Sequence, residues 1–185
     1  MKHWNSTAKK ITAALLLVAL AAALTWGVTW FTEQKNGPAR LVQTYVQAVN
    51  DRDFDAFCRC LLPTYQKDLQ KAAEQKGGQA LMEENYQSAF GSGRPGAALG
   101  EDVRLTVTDL QTEQITPEGE NYRGIDLVGL EVNEVANVRC TVTSAGTAGS
   151  AAHKVEAVCV RIGRQWYLYT MVGVSDPVTA TDAGQ

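Results

Sequence analysis

The four cysteines have the broadest chemistry in this sequence, since a thiol can form a disulfide, bind a metal or act as a nucleophile. They are Cys58, Cys60, Cys140 and Cys159. Cys140 and Cys159 fall on two neighbouring predicted strands, but if Val158 and Val160 face the core, Cys159 points away from it. Cys58 lies on the apolar face of a predicted helix and could reach Cys140 instead. A Cys58–Cys140 disulfide is therefore one interpretation, and four unbridged thiols filling apolar space is the favoured one.

Other patterns for catalysis or metal binding are weak. Cys58-Arg59-Cys60 has the wrong spacing for a zinc site, and no second Cys or His pair accompanies it. The only histidines are His3 and His153. The sequence has no phosphate-binding glycine loop, nucleophile elbow or Ser/His/Asp arrangement. We therefore predict no cofactor and no metal.

An uncharged run of 21 residues at positions 11–31 precedes all four cysteines. As a helix that rises ~1.5 Å per residue, it is long enough to cross the ~30 Å hydrocarbon layer of a lipid bilayer. Lys9 and Lys10 precede the run, and Trp26 and Trp30 lie near its end, where amphipathic rings favour the headgroup zone. The positive-inside rule then predicts a single-pass signal anchor in the cell membrane, with the N-terminus in the cytoplasm and the rest of the chain outside.

Cleavage as a signal peptide is the alternative for this run, because Ala21-Ala22-Ala23 offers small residues after an apolar stretch. The apolar character continues to Phe31, which favours an uncleaved anchor. Both interpretations place the remaining chain outside the cytoplasm. That part holds all 20 acidic residues and 14 of the 17 basic ones, for a net charge of −6. A mildly acidic domain lacks the basic patch of a nucleic-acid-binding protein, so we predict no nucleic-acid partner.

Beyond the anchor, the apolar period changes from helical to strand-like. Helical spacing and capping residues predict helices at 38–49, 54–62, 64–76 and 79–90. Alternating apolar residues predict strands at 103–107, 138–142, 155–162 and 165–172, with a loop at 144–152 and residues 117–134 unassigned. We therefore predict an α+β fold in which N-terminal helices pack on a curved, mainly antiparallel sheet. The predicted divisions are a cytoplasmic tail at 1–10, the anchor at 11–31, a linker at 32–37, the domain at 38–173 and a flexible tail at 174–185.

Three motifs suggest a family. A helix runs into the acidic turn Asn50-Asp51-Arg52-Asp53, a second helix ends at Leu61-Leu62-Pro63, and the last two strands meet at Gly163-Arg164-Gln165-Trp166-Tyr167. Together they resemble the nuclear transport factor 2-like (cystatin-like, cone-shaped) superfamily, and in particular small membrane-anchored ectodomains of Gram-positive bacteria. The likeness covers roughly residues 38–172. It implies a cone of helices and sheet, and it carries no catalytic residue with it.

Some members of that superfamily are isomerases or dehydratases that place an Asp, His or Tyr inside the cone. The resemblance implies four candidate ligand-binding residues here: Tyr45, Tyr65, Tyr86 and Asp109. Asp109 interrupts the strand alternation after Val107, as a bulge or a strand end also would, and tyrosines are common in cores. On the last strand, alternation places Trp166 with Leu168 on one face. It places Tyr167, Tyr169 and Met171 on the other, as a candidate surface for a partner or another subunit.

These observations favour a membrane-anchored, non-catalytic extracytoplasmic domain that binds a protein partner, a ligand or itself. The alternative is a scaffold component of a cell-envelope secretion or conjugation apparatus, whose bitopic members share this plan. A small enzyme of the isomerase or dehydratase kind is the third hypothesis.

Overall fold

The computed structural model describes residues 37–116 and 131–178. The predicted anchor at 11–31 and the last seven residues lie outside these ranges, as do most of the residues left unassigned at 117–134. None of the helices described is both long and apolar enough to span a membrane. The chain from Pro38 onward forms one compact unit, in which helices come first and a curved antiparallel sheet follows. The predicted α+β architecture of this unit is confirmed.

Within residues 37–116, four α-helices and one short 3₁₀ helix precede the sheet. They are α1 (Pro38–Asp51), α2 (Phe54–Cys60), α3 (Pro63–Lys76), α4 (Gly78–Phe90) and the 3₁₀ helix Pro95–Leu99. Their starts follow the local signals in the sequence. The Asp53 carboxylate accepts the Ala56 N–H at 2.9 Å, and Pro63 occupies the first turn of α3.

Four strands in the described part of the chain form a meander in the order β1-β2-β3-β4, each antiparallel to the next. They are β1 (Arg104–Ile115), β2 (Val132–Ala145), β3 (Ser150–Ile162) and β4 (Gln165–Val178). All four predicted strands are present but longer than predicted. The predicted loop at 144–152 is wrong, because the ladder of β2 and β3 continues until Ala145 lies opposite Ser150. Strand β4 continues past residue 173, where we expected the domain to end.

The main core lies between α1 and one face of the sheet. Its buried members are Val42, Val138, Cys140, Ala157, Cys159 and Leu168. The expectation that Cys159 points away from this core is wrong. The register places Cys140 opposite Val155 and Ala136 opposite Cys159, so both cysteines occupy the helix-facing side.

The opposite face of the sheet is also apolar at one end, where Val135 and Val160 are fully buried with Leu62 and Ile115. Strand β3 therefore carries buried residues on both faces, and its alternation did not indicate which set faces the helices.

Two irregularities turn side chains away from the simple alternation. In β1 the register shifts between Thr108 and Gln111, and Asp109 adopts a φ of 54°, as in a β-bulge. In β4 an extra residue at Tyr169 shifts the pairing with β3. Met171 consequently packs in the helix-facing core with Leu168, so its predicted grouping with Tyr167 and Tyr169 is wrong. The predicted separation of Trp166 from Tyr167 is confirmed.

Candidate functional site: a groove between three helices

An apolar groove of about 650 Å³ lies between α2, α3 and α4. Pockets that bind ligands or apolar segments enclose roughly 300–1,000 Å³, so this groove is large enough for such a role. Its apolar lining consists of Phe54, Phe57, Leu61, Tyr65, Leu69, Leu81 and Met82. Asp68, Glu84, Asn85 and Ser88 complete its wall.

Helix α2 supplies the wall nearest the core. Phe54 and Phe57 lie three residues apart and so share one side of this short helix. The ring of Phe57 lies against that of Tyr45 on α1, with centroids 5.3 Å apart and planes tilted by 36°. One aromatic side chain thus touches both the core behind the groove and the groove itself, which fixes this wall in place.

Helix α3 supplies the outer wall and has no buried residue. Tyr65, Asp68 and Leu69 share one face of it through their spacing. The Tyr65 side chain keeps 50% of its surface exposed, although its ring lines an apolar groove. Helix α3 packs mainly against α2 and α4. The Gln66 side-chain amide also donates to the Leu61 carbonyl at 2.7 Å, which ties the start of α3 to the end of α2.

Two adjacent glycines, Gly77 and Gly78, connect α3 to α4. Gly77 has a φ of +86°, a left-handed conformation that most residues avoid. At Gly78 an added Cβ would lie 2.6 Å from Cγ of Phe54, so α4 approaches the aromatic wall more closely than any larger residue permits. The approach of α4 to Phe54 therefore depends on this glycine.

The acidic groups on α3 and α4 differ in their partners. Glu84 pairs with Lys76 at 3.0 Å, which links the two helices across their exposed surface. Asp68 is exposed and lines the groove, and no ion pair to it occurs within residues 37–116 and 131–178. The groove thus combines an apolar floor with one carboxylate that has no ion-pair partner in the described part of the chain.

The four residues implied by the family resemblance lie apart from one another. Only Tyr65 lines the groove. Tyr45 lies behind Phe57, where burial, and to a lesser extent the Cys60 thiol, raises the pKa of its phenol. Asp109 is exposed at the β1 bulge, where its carboxylate accepts the Thr108 hydroxyl at 3.1 Å.

Tyr86 lines a different cleft, between the α1–α2 turn and the start of β1. Its hydroxyl accepts the Val103 N–H at 3.0 Å, and the Arg52 guanidinium lies 4.6 Å from the centroid of its ring. These contacts give Tyr86 a structural role, because they hold the start of β1 against α4. The structure therefore does not bring the four candidates into a common cavity.

All four cysteines are buried free thiols, including Cys58 and Cys140, the pair considered for a disulfide. Burial raises the pKa of each, to about 11 for Cys60 and about 12 for Cys159, so they are protonated at neutral pH. Cys140 and Cys159 share a face, but the register offsets them by four residues along the sheet, or roughly 13 Å. A disulfide requires Cα atoms within about 7 Å. No group of three His, Cys, Asp or Glu side chains in the described ranges is placed to hold a metal ion.

The groove was not predicted, although most of its apolar lining residues lie on apolar faces of the predicted helices. We expected those faces to be covered by the sheet. The signal against this was the composition of α3, in which eight of 14 residues are charged or glutamine. The apolar face of α3 is narrow and most of its surface is polar, so the helix lines a groove and does not pack in the core.

Comparisons with known proteins found no match to this chain among protein-family models, curated proteins or solved structures.

Proposed function

We propose that this chain is a membrane-anchored, extracytoplasmic binding domain without catalytic activity, and that it binds through the groove between α2, α3 and α4. The observation that carries the proposal is the apolar groove itself, open to solvent beside a half-exposed tyrosine on a helix with no buried residue. An apolar surface of this kind on a folded domain is the usual mark of an interaction site.

The energetics favour binding at this position. Complete burial of one large apolar side chain contributes about 1.5–3 kcal/mol. Tyr65, Leu69 and Leu81 all keep part of their surface exposed in the groove wall. An occupant that finished burying the three would supply several kcal/mol, a substantial part of the roughly 8 kcal/mol of micromolar binding.

The absence of catalysis is supported by the placement of the reactive groups. The thiols are protonated at neutral pH, whereas a thiolate is the nucleophilic form. Asp109 and the three candidate tyrosines lie at separate places, and general acid–base catalysis needs its groups within hydrogen-bond reach of one substrate.

The membrane anchor at 11–31 and the likeness to the nuclear transport factor 2-like superfamily stay predictions from the sequence. A scaffold role in a secretion or conjugation apparatus would use the same groove with a specific partner, so partner identity separates the two hypotheses.

In-cell photo-crosslinking tests the proposal. A photo-reactive amino acid replaces Tyr65 in the full chain, and the matched control replaces Gln70, which is exposed on the same helix about 140° away. We expect adducts at position 65 in excess of position 70. We also expect Leu69→Asp to abolish them, because it places a charge on the groove wall, and Glu74→Lys on the opposite side of the same helix to leave them in place.

Mass spectrometry of the adducts then identifies the occupant. Recovery of secretion or conjugation proteins would favour the scaffold hypothesis, and self-contacts alone would count against it. Equal adducts at positions 65 and 70, or adducts unaffected by Leu69→Asp, would overturn the groove as the binding site.

A further inference from the structure

The charges around the groove distinguish one acidic group from two others. Glu83 pairs with Arg52 at 3.0 Å and Glu84 with Lys76 at 3.0 Å, so the chain itself balances both of these α4 carboxylates. Asp68 on α3 lines the groove without such a partner in the described ranges. Lys67 and Lys71 flank Asp68 on α3 but do not line the groove, so Asp68 is the unpaired charge within the groove that a cation of the occupant can reach.

The two walls of the groove differ in their polar groups. Asp68 stands on the α3 wall between Tyr65 and Leu69. The α4 wall offers the neutral side chains Asn85 and Ser88, and the Ser88 hydroxyl already donates to the Asn85 carbonyl at 2.7 Å. The free charge thus lies on one wall only, which gives an occupant a preferred orientation.

We infer that the occupant is an amphipathic helix of a protein partner that lays its apolar face in the groove and places a lysine or arginine opposite Asp68. The inference rests on the proposed function and names its partner class. A helix satisfies its backbone hydrogen bonds internally, so it can enter an apolar groove without leaving N–H and C=O groups unpaired. An extended peptide would bury such groups against a lining that offers few partners for them.

Selection from a peptide library tests this inference with the full chain held in nanodiscs of neutral lipid. The probe is a library of helical peptides of about 14 residues, or roughly four turns. Apolar residues are fixed three and four positions apart, and the flanking positions are randomised. Parallel selections use the native chain, Asp68→Lys, Leu69→Asp, and Glu74→Lys as the control, because Glu74 lies on the side of α3 opposite Tyr65 and the change in charge equals that of Asp68→Lys.

We expect the native chain to enrich peptides with a basic residue at one flanking position, and Asp68→Lys to enrich acidic residues there. A selected basic peptide should bind Asp68→Lys about fivefold more weakly, since an exposed ion pair becomes a repulsion. Glu74→Lys should select the same peptides as the native chain.

The outcomes separate this inference from the proposed function. Peptides that depend on Leu69 but show no charge preference would overturn the basic helix and leave the groove as a binding site. Enrichment of no peptide would overturn the helical partner. Saturable binding of a fluorescent fatty acid that Leu69→Asp abolishes would then identify a lipid as the occupant of the groove. Binding unchanged by Leu69→Asp would overturn both proposals.

Discussion

Helices α1 and α3 have the same length and the same kind of start but opposite roles. Each has 14 residues and begins with a proline. Helix α1 buries Val42, Val46 and Ala48, and Val42 belongs to the core against the sheet, whereas α3 has no fully buried residue. Length and capping therefore decide that these segments are helical, and the width of the apolar face decides whether a helix forms the core or lines a groove.

The two helices also differ in how they are tied to the rest of the domain. The Asn50 side chain of α1 bonds both backbone groups of Leu105, whereas α3 connects through Gln66 to the neighbouring α2 and through Lys76 to the neighbouring α4. A helix that is tied to neighbouring helices, as α3 is, can move with little loss of the contacts that stabilise the sheet. We therefore expect mutations near α1 to affect stability and mutations on α3 to affect binding.

The largest expected effect is at Leu168, which is buried in the core beneath α1. Leu168→Ala should lower the free energy of unfolding by about 3 kcal/mol, through lost apolar burial and the cavity left behind. Urea-dependent pulse proteolysis of the full chain would measure it. A loss under about 1 kcal/mol would contradict the assignment of this region as the core, because truncation of a leucine in a close-packed core costs more.

The second effect concerns the tie between α1 and β1. The Asn50 side-chain amide donates to the Leu105 carbonyl at 2.8 Å, and its oxygen accepts the Leu105 N–H at 2.8 Å. Asn50→Ala should cost about 2 kcal/mol by the same measurement, since two hydrogen bonds are lost. Asn50→Asp keeps the acceptor but places a carboxylate oxygen against the Leu105 carbonyl, so we expect it to recover little of this loss. A loss under about 0.5 kcal/mol in Asn50→Ala would show that the two hydrogen bonds do not tie α1 to β1.

The third effect is a pH dependence that originates in the core. Burial raises the pKa of Cys159 from an ordinary value of 9.0 to about 12. The folded state therefore holds this proton more tightly than the unfolded state. Its contribution to stability is complete below pH 9 and is lost as the pH rises from 9 to 12.

At pH 10 this loss should amount to about 1 kcal/mol. Unfolding measured at pH 8 and at pH 10 should therefore show a smaller decrease in Cys159→Ala than in the native chain. Comparison of the two slopes cancels the contributions of the other thiols. Identical slopes would mean that Cys159 meets the same solvent in both states, contrary to its burial beneath α1.

The sequence was sufficient for the elements that depend on local signals. Pro63, Asp53 and the glycines at 77 and 78 each mark a helix end through their own backbone chemistry, and the structure has helix ends at these points. The strands followed from their alternation in the same way. Such features need only neighbouring residues, which a single sequence provides.

Features that depend on long-range pairing were less predictable. The side of β3 that faces the helices is set by its register with β2, and both faces carry apolar residues. The grouping of Met171 failed because an extra residue in β4 reverses the alternation. The groove was not predicted for a related reason, since an apolar helix face does not indicate which element will cover it. The polar composition of α3 was the available signal. It separates α3 from a core helix only when α3 is compared with α1, whose apolar face is wider.

The smallest expected effect on stability, at Leu69, sharpens the comparison of the two helices. Leu69→Ala removes the same atoms as Leu168→Ala, but from a partly exposed position on α3. We expect it to change the free energy of unfolding by less than about 1 kcal/mol, in the range of surface substitutions. It should nevertheless reduce photo-crosslinking at position 65, because it removes part of the groove wall. If Leu69→Ala cost as much stability as Leu168→Ala, α3 would belong to the core, and no groove would be open for a partner.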